Sequence, residues 1–435
     1  MSGRGVLVLF PLQVPTYFNA GHHLALYQVA GYLNGRPDIG RVEVVDGAVG
    51  QATWKDLAQL LVTGDFDVVA VMNDLEGLDG TERTLAYIRR LAPGAHAVSF
   101  GRMTGTIPAV MKGFDFDAVV ETGDFETGVE AAVHALWAGH REAPGVAFRV
   151  GGDWLGPEER GTRLEPEQWY LPAPSELPYE RYDALYGTDS RRFSGLPAQR
   201  ELVVPVARGC PIGCDFCEVP VVFGLREKRL SVEATIGYID RCFTDAHFDY
   251  VSFYAPTFTL DRGWVIELCE RLQDRKTPTA WKCCTTLRHL DRELVAAMGA
   301  SGCVRISVGL ETLEPRGLEL LPVAKAKGAT RLQDVVTWCR DAGIELNCFV
   351  VVGLPGTTMA DAVGTLRQLQ DLGARARPTL YTDWQAMRPG ADETELVLCN
   401  RHILPDSALL DEHERALAHR LAISGEPPPR HDGEI

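Results

Sequence analysis

Apolar runs alternate with segments of helical spacing over roughly the first third of the chain. Runs without polar alternation cover 6–12, 42–46, 67–72, 96–101 and 117–122. Strands that are apolar on both faces and separated by helices are typical of a parallel sheet covered on both sides. The pattern therefore predicts an α/β, doubly wound domain over 1–140. Its ligand is expected at the carboxyl ends of the strands.

The remaining chain divides into three regions by the same criterion. Residues 141–200 are rich in Pro, Gly, Arg, Glu and Trp without a sustained period, which predicts a linker. The alternation then resumes, with strand candidates at 202–207, 250–254, 279–285, 304–309, 346–353 and 379–382. A parallel strand–helix series of this length predicts a partial or full (β/α) barrel over 201–400. Residues 401–435 are charged and predict a short helix followed by a frayed C-terminal tail.

Composition narrows the class of protein. The chain has 435 residues, with 43 Lys and Arg against 59 Asp and Glu, so the formal charge is −16. The acidic balance argues against nucleic acid as a partner. The sequence contains no apolar run of about 20 residues, so a membrane-spanning helix is not expected. The N-terminal segment lacks the features of a secretory leader, so we expect a cytoplasmic location.

The cysteines carry the clearest chemical signal. There are 11, and the first is Cys210. Cys210, Cys214 and Cys217 follow a predicted strand with C-x3-C-x2-C spacing, and Gly209 and Gly213 allow a tight backbone there. Thiolates at this spacing hold iron–sulfur clusters, and three ligands leave one iron of a four-iron cluster open. A zinc site is the alternative, but no matching ligand pair follows nearby. The other eight cysteines are expected to be buried apolar residues.

The cysteine loop, with an aromatic residue before its last cysteine, resembles the radical S-adenosylmethionine (SAM) superfamily. The resemblance implies that Cys210, Cys214 and Cys217 bind a [4Fe-4S] cluster whose open iron chelates SAM. SAM is then cleaved by an electron from the cluster to give a 5′-deoxyadenosyl radical. Segments 304–311 and 350–356 resemble the fourth-strand and fifth-strand motifs of the superfamily. The SAM-binding residues implied are Phe216, Arg288, Glu311 and Gly353.

One segment departs from the superfamily pattern. Many members carry a Gly-Gly-Glu segment after the second barrel strand, which binds the SAM amino group. Here that stretch, 252–258, reads Ser-Phe-Tyr-Ala-Pro-Thr-Phe and offers no carboxylate. How the SAM amino group is held is therefore open.

A doubly wound domain ahead of such a barrel resembles the cobalamin-dependent branch, the class B radical SAM methyltransferases and their relatives. The resemblance spans about 1–400 and implies that 1–140 is a Rossmann-like domain of the cobalamin-binding type. There is no Asp-x-His-x-x-Gly signature for a histidine ligand to cobalt, so the loop after the third strand would face it. The cobalamin-binding residues implied are Asn73, Asp74, Leu75, Gly101, Thr104, Gly105, Thr106 and Gly123.

The resemblance implies a C-methyltransferase for which SAM is both methyl source, through methylcobalamin, and radical source. The substrate is expected to be a small molecule of secondary metabolism, with Tyr381, Trp384 and Gln385 as candidate substrate residues. An external electron donor of the flavodoxin or ferredoxin type is implied. The alternatives are a cobalamin-dependent cyclase or ring-rearranging enzyme, a polar methyltransferase for an sp² carbon, a radical SAM enzyme without cobalamin, and a non-catalytic sensor.

Overall fold

A computed structural model describes residues 4–12, 23–49, 52–74, 78–187, 195–196, 199–275, 279–381, 412–424 and 426–427. Two compact units make up the chain. The first comprises 1–198, 216–224 and 383–405, and the second comprises 199–215, 225–382 and 406–435. No helix among the described residues is long and apolar enough to cross a membrane.

The first unit is built on a seven-stranded sheet in the order β2-β1-β3-β4-β5-β6-β7. Its strands are β1 Gly5–Phe10, β2 Arg41–Asp46, β3 Val68–Met72, β4 His96–Phe100, β5 Ala118–Val120, β6 Val146–Val150 and β7 Asp153–Leu155. The first five pair in parallel, as their apolar runs predict. Both β1 and β3 are buried along their whole length. The α/β, doubly wound prediction is confirmed.

Helices lie between these strands and in the segments that follow them. They are α1 Leu24–Asn34, α2 Trp54–Thr63, α3 Leu78–Leu91, α4 Arg102–Thr106, α5 Pro108–Met111, α6 Phe125–Trp137, α7 Tyr179–Gly187 and α8 Val219–Val222. The start of α2 shows the local cause: the Thr53 hydroxyl accepts from the Asp56 N–H, and the Asp56 carboxylate accepts from the Thr53 N–H. This capping box satisfies backbone donors that the first helical turn leaves unpaired.

The region expected to be a linker contributes regular structure to the first unit. β6 pairs antiparallel with β5, and β7 pairs antiparallel with β6, so both extend the sheet. Their register is set by a tight turn at Gly151 and Gly152, which both have positive φ. Such a turn needs glycine because a Cβ atom disfavours the left-handed region. The first unit thus reaches beyond residue 140.

The second unit contains six parallel strands in the order β15-β14-β13-β12-β11-β8. They are β8 Glu201–Pro205, β11 Tyr250–Tyr254, β12 Ala280–Thr285, β13 Cys303–Glu311, β14 Glu345–Val352 and β15 Arg375–Leu380. A hairpin of β9 Ala207–Arg208 and β10 Lys228–Arg229 forms a separate two-stranded sheet. Because β8 and β15 do not pair with each other among the described residues, the sheet is a partial barrel.

Helices alternate with these strands as predicted. They are α9 Val232–Asp245, α10 Arg262–Gln273, α11 Arg292–Ala300, α12 Pro315–Glu319, α13 Val323–Ala329, α14 Leu332–Asp341, α15 Met359–Leu372 and a last helix, Glu412–Ser424. Side chains of Ser231, Asp261, Asp291 and Thr358 cap four of them. Ser, Asp and Thr are favoured at this position because their oxygens accept from free N–H groups.

The two faces of the second sheet differ in character. One face is apolar and includes the fully buried Trp281, Ile306 and Cys348. The other face carries the register-matched row Ser252, Lys282, Arg305 and Glu345. Successive side chains on a strand point to opposite faces, so this alternation separates a packing face from a polar face. The polar face is the one available for chemistry.

Candidate active site

The cysteine loop begins directly after β9. Gly209 and Gly213 have φ values of 86° and 68°, as a tight loop requires. Cys210 and Cys214 are buried, with 8% of each exposed. Cys217 is half-buried and lies in the segment 216–224 that is grouped with the first unit. All three are free thiols.

Burial raises the pKa of the Cys214 thiol above its ordinary value, and the nearby Lys325 ammonium only partly offsets the effect. A thiol must lose its proton to bind iron, so binding at Cys214 releases a proton. The positive charge of Lys325 favours the thiolate once it forms. The loop therefore supplies thiol ligands beside a fixed cation.

Glu311 ends β13 in an unusual conformation. Its φ is 67°, and the register with β14 shifts between Gly309 and Glu311. The bulge turns the Glu311 side chain into a buried site, where its Oε1 accepts a hydrogen bond from Lys325 Nζ. Non-glycine residues with positive φ are strained and cluster at functional sites. The structure thus singles out the glutamate that the fourth-strand motif predicts.

Lys325 is the partner that the sequence did not reveal. It lies on α13 with its side chain buried. Burial alone would lower its pKa, but Glu311, Cys214 and Cys284 raise it, and the net shift is upward. A lysine in a short helix belongs to no sequence motif that would single it out. Its contact with Glu311 arises only because the folded chain brings α13 next to the end of β13. The charged form of Lys325 is therefore held at the polar face.

Gly309 makes room for this ion pair. A Cβ atom at position 309 would lie 2.6 Å from both Glu311 Oε1 and Lys325 Nζ. Real Cβ contacts are not that short, so any side chain here would push the pair apart. Glycine at position 309 thus leaves room for the ion pair in its observed position.

The other predicted SAM and substrate residues take different positions. Gly353 is buried and has a φ of 81°, so the turn after β14 needs glycine there. Phe216 is half-buried, and Arg288 is exposed in a 3-10 turn. Tyr381 is half-buried, and its N–H donates to the Val352 carbonyl at 2.8 Å. Trp384 and Gln385 lie outside the described residues.

Two of the predicted cobalamin residues belong to a buried hydrogen-bond chain in the first unit. Asn73 Nδ2 donates to Ser99 Oγ at 2.9 Å, and Ser99 Oγ lies 2.7 Å from Thr104 Oγ1. Thr81 Oγ1 donates to Asn73 Oδ1 at 2.7 Å. Asn73 and Thr104 have no exposed surface. Their polar groups link the segments that follow β3 and β4, and their role toward cobalamin stays a prediction.

The predicted glycines at this edge are also explained by the chain itself. A Cβ on Gly101 would lie 2.6 Å from the Asn73 carbonyl oxygen, and one on Gly123 would lie 2.8 Å from the Gly161 backbone. Both glycines therefore allow two backbone segments to approach closely. Gly101 and Gly123 thus have a structural role at this edge, and their contact with cobalamin stays a prediction.

The remaining predicted cobalamin residues lie on or beside α4. Asp74 is buried and accepts from the Arg102 N–H at 2.9 Å and from Arg102 Nε at 3.2 Å. Gly105 and Thr106 are half-buried. The Thr106 hydroxyl donates to the Arg102 carbonyl. Leu75 lies outside the described residues. Gly105 and Thr106 are thus the predicted residues that keep accessible surface at this edge.

Cysteines outside the loop are mostly packed in the interior. Cys242, Cys269, Cys283, Cys303, Cys339 and Cys348 are buried. Burial raises the pKa of Cys242 and Cys269 to about 11. Cys284 is half-buried, and burial raises its pKa to about 12. Cys399 lies outside the described residues. With pKa values this high, Cys242, Cys269 and Cys284 are protonated at neutral pH.

The donor set of the loop suits a cluster. In the described part of the chain, no three His, Cys, Asp or Glu side chains gather tightly enough to hold one metal ion. In a four-iron cluster each thiolate binds a different iron, so the ligands need not converge on one point. Three free thiols within eight residues provide this donor set.

Comparison with known proteins finds similar chains over most of the sequence. Residues 204–369 match the model of the Radical SAM superfamily. An uncharacterized methyltransferase of Pyrococcus horikoshii is 26% identical over 369 residues, covering 83% of this chain and 76% of the relative. The anaerobic magnesium-protoporphyrin IX monomethyl ester cyclase of Rubrivivax gelatinosus is 23% identical over 397 residues, covering 85% of this chain and 67% of the relative.

One solved structure has a similar fold over most of the chain. It is the radical S-adenosylmethionine methyltransferase TsrM from Kitasatospora setae, with cobalamin and a [4Fe-4S] cluster bound. The TM-score is 0.70 at 18% identity, and the match covers 87% of this chain and 75% of TsrM. At this identity the likeness concerns the fold. It confirms a doubly wound domain followed by a partial barrel.

Proposed function

We propose that the chain, whose residues 204–369 match the Radical SAM superfamily, is a cobalamin-dependent C-methyltransferase acting on a small molecule. The observation that carries the proposal is the cysteine loop beside the buried pair of Glu311 and Lys325. When bound, the cluster supplies the electron that cleaves SAM. The residues of the chain then have the tasks of binding, orienting and excluding water.

The pair of Glu311 and Lys325 has the right charges for the amino-acid end of SAM. A carboxylate accepts hydrogen bonds from an ammonium or a ribose, and an ammonium binds a carboxylate. We propose that Glu311 binds the SAM amino group or ribose and that Lys325 binds the SAM carboxylate. Arg288, the residue implied by resemblance, is exposed and supports this role less well.

Cobalamin is proposed at the carboxyl edge of β3, β4 and β5. The fold supports this site because ligands bind doubly wound sheets there. Gly105 and Thr106 are the accessible residues proposed to contact the corrin, and Arg102 is half-buried beside them. The hydrogen-bond chain through Asn73 and Thr104 would keep this edge rigid. A rigid edge positions a cofactor without a reorganisation cost.

The electron must come from outside the chain. We propose a flavodoxin-type or ferredoxin-type donor and a small-molecule substrate, with Tyr381 at the end of β15 as a candidate contact. The substrate would bind at the polar face of the partial barrel. Analysis of the reaction product would identify the carbon skeleton of the substrate.

Ring formation is the second candidate reaction. It is favoured by the relative from Rubrivivax gelatinosus, which is named a cyclase and matches 85% of this chain. A cyclase on the same scaffold would use the same cluster and SAM residues. The two reactions differ in whether a methyl group from SAM appears in the product.

Anaerobic reconstitution with iron, sulfide and hydroxocobalamin tests the proposal. We expect about four irons per chain, retained corrin absorption, and 5′-deoxyadenosine on reduction with dithionite. Methyl-labelled SAM should transfer its label to a candidate metabolite, detected by mass spectrometry. A cluster without corrin retention would exclude cobalamin dependence. A product without label would favour cyclisation, and absence of 5′-deoxyadenosine would exclude radical SAM chemistry.

A further inference from the structure

Thr257 occupies the segment after β11 where a carboxylate is absent. It directly precedes a 3-10 turn, Phe258–Leu260, and only 1% of the residue is exposed. Its Oγ1 lies 3.6 Å from Cys210 Sγ, within hydrogen-bond range for sulfur. The departure from the superfamily pattern therefore places a hydroxyl against one of the cluster cysteines.

The direction of this hydrogen bond depends on the state of Cys210. In a free thiol, either atom can donate the proton. A thiolate bound to iron carries no proton, so the Thr257 hydroxyl must then be the donor. Hydrogen bonds to cluster sulfurs are among the factors that set the reduction potential. Donation to sulfur stabilises the more electron-rich, reduced cluster.

Arg229 fixes the backbone of Thr257. Its NH2 donates to the Thr257 carbonyl at 3.3 Å, and its Nε pairs with Glu227 Oε1 at 2.8 Å. The guanidinium also stacks over the Trp264 ring at 4.7 Å. Arg229 and Glu227 are largely buried. A buried guanidinium with three kinds of contact has little freedom to shift.

The same hairpin carries Arg229 and leads into the cysteine loop. Arg229 on β10 is paired with Ala207 on β9, three residues before Cys210. Both ends of the contact between Thr257 and Cys210 are thus tied to one short two-stranded sheet. This geometry keeps the hydroxyl and the sulfur at a fixed separation.

Hydrogen bonds within the 3-10 turn and to β12 also hold the turn in place. The Leu260 N–H donates to the Thr257 carbonyl at 3.1 Å, and the Thr259 N–H donates to Thr285 Oγ1 at 3.3 Å. Phe258 is fully buried and stacks against Phe253. These contacts fix the turn independently of any cofactor.

We propose that the Thr257 hydroxyl donates a hydrogen bond to the cluster-bound Cys210 thiolate and raises the reduction potential of the cluster, with Arg229 and Glu227 as positioning residues. The inference rests on the proposed function, since it requires a cluster at the loop. It assigns a role to a segment that has lost the carboxylate of the superfamily pattern.

The test compares midpoint potentials of full-length reconstituted variants, measured by redox titration with electron paramagnetic resonance and without SAM. Thr257→Val removes the hydroxyl at nearly constant volume, and Thr257→Ala is a second variant without it. Both are expected to shift the potential to more negative values at unchanged iron and sulfide content. Thr257→Ser keeps the hydroxyl and is expected to keep the wild-type potential.

The arginine is tested with a matched pair. Arg229→Met is expected to shift the potential in the same direction as Thr257→Val, whereas Arg226→Met, an exposed arginine of the same segment, leaves it unchanged. Equal midpoint potentials in wild type, Thr257→Val and Thr257→Ala would overturn this inference and leave the proposed function standing. A wild-type chain that binds no four-iron cluster would overturn the proposed function.

Discussion

At the scale of single residues, Glu311 combines a strained backbone with a buried charge. It is one of two non-glycine residues with positive φ in the described part of the chain. The left-handed region costs an ordinary residue about 1–2 kcal/mol relative to glycine. Replacing Glu311 therefore changes two quantities, the backbone strain and the pairing of Lys325, and two substitutions can separate them.

We expect Glu311→Ala and Glu311→Gly both to lose SAM binding and about 3 kcal/mol of stability, because each leaves Lys325 buried without its carboxylate. Glu311→Gly should be more stable than Glu311→Ala by about 0.5–1 kcal/mol. Glycine relieves the backbone strain, but its greater entropy in the unfolded chain offsets part of this gain. Urea unfolding and equilibrium dialysis with SAM measure the two effects.

Ser307 on the same strand provides the control, since its backbone is not left-handed. There the alanine variant should be the more stable one, because glycine weakens a regular strand. The same order at both positions would contradict a left-handed conformation at Glu311.

Sequence reasoning at this scale depends on whether a partner is local. The cluster cysteines lie within eight residues, so their spacing predicts a loop. Lys325 pairs with a residue 14 positions away, and Thr257 meets Cys210 across 47 positions. No periodicity encodes such contacts, because the register of separate strands and helices creates them.

At the scale of elements, Asp46 joins α7 to the first sheet. It is fully buried and accepts hydrogen bonds from Tyr27 Oη at 3.1 Å and from Tyr182 Oη, and it pairs with His23 Nδ1 at 3.2 Å. Burial raises the pKa of Tyr182 well above its ordinary value, so the phenol remains a donor. A single carboxylate thus holds a helix from the expected linker.

The pKa of Asp46 makes the docking of α7 depend on pH. Burial alone would raise it, but His23 and the hydrogen-bond donors lower it below the ordinary value. A depressed pKa stabilises the fold at pH values above about 4, and the contribution is lost as the pH falls through the folded-state pKa. The docking of α7 is therefore expected to weaken in acid.

We expect Asp46→Asn to lower the free energy of unfolding at pH 7 by about 3 kcal/mol, because it removes the charge that pairs with His23. Tyr182→Phe should cost about 1.5–3 kcal/mol, the range for a hydrogen bond to a charged group. Hydrogen exchange along α7 reports the local effect. Glu180→Gln on the exposed side of α7 is the control. Unchanged exchange in Asp46→Asn would show that α7 docks without this carboxylate.

Elements with strong apolar runs were predictable within a few residues. β3 and β4 are buried on both faces, so their sequences show no polar alternation. β6 and β7 were missed because they are short, mixed in polarity and separated by two glycines. Their strand structure depends on pairing with β5, which the local sequence does not encode.

At the scale of the whole molecule, the proposal separates two cofactors between different ligand sets. The proposed corrin contacts lie on α4, and the proposed cluster ligands lie on the cysteine loop. We expect the full-length variant Cys210→Ala, Cys214→Ala, Cys217→Ala to lose iron and sulfide while keeping corrin absorption after gel filtration. Loss of the corrin together with the iron would contradict independent sites.

The buried thiols have a consequence for how the chain acquires iron. Cys242, Cys269, Cys283, Cys339 and Cys348 are buried, and burial raises the pKa of each. A protonated thiol without solvent access competes poorly for a metal. These five thiols are therefore expected to be poor ligands for iron that reaches the folded chain, whereas the loop offers the half-buried Cys217, and Lys325 favours the Cys214 thiolate.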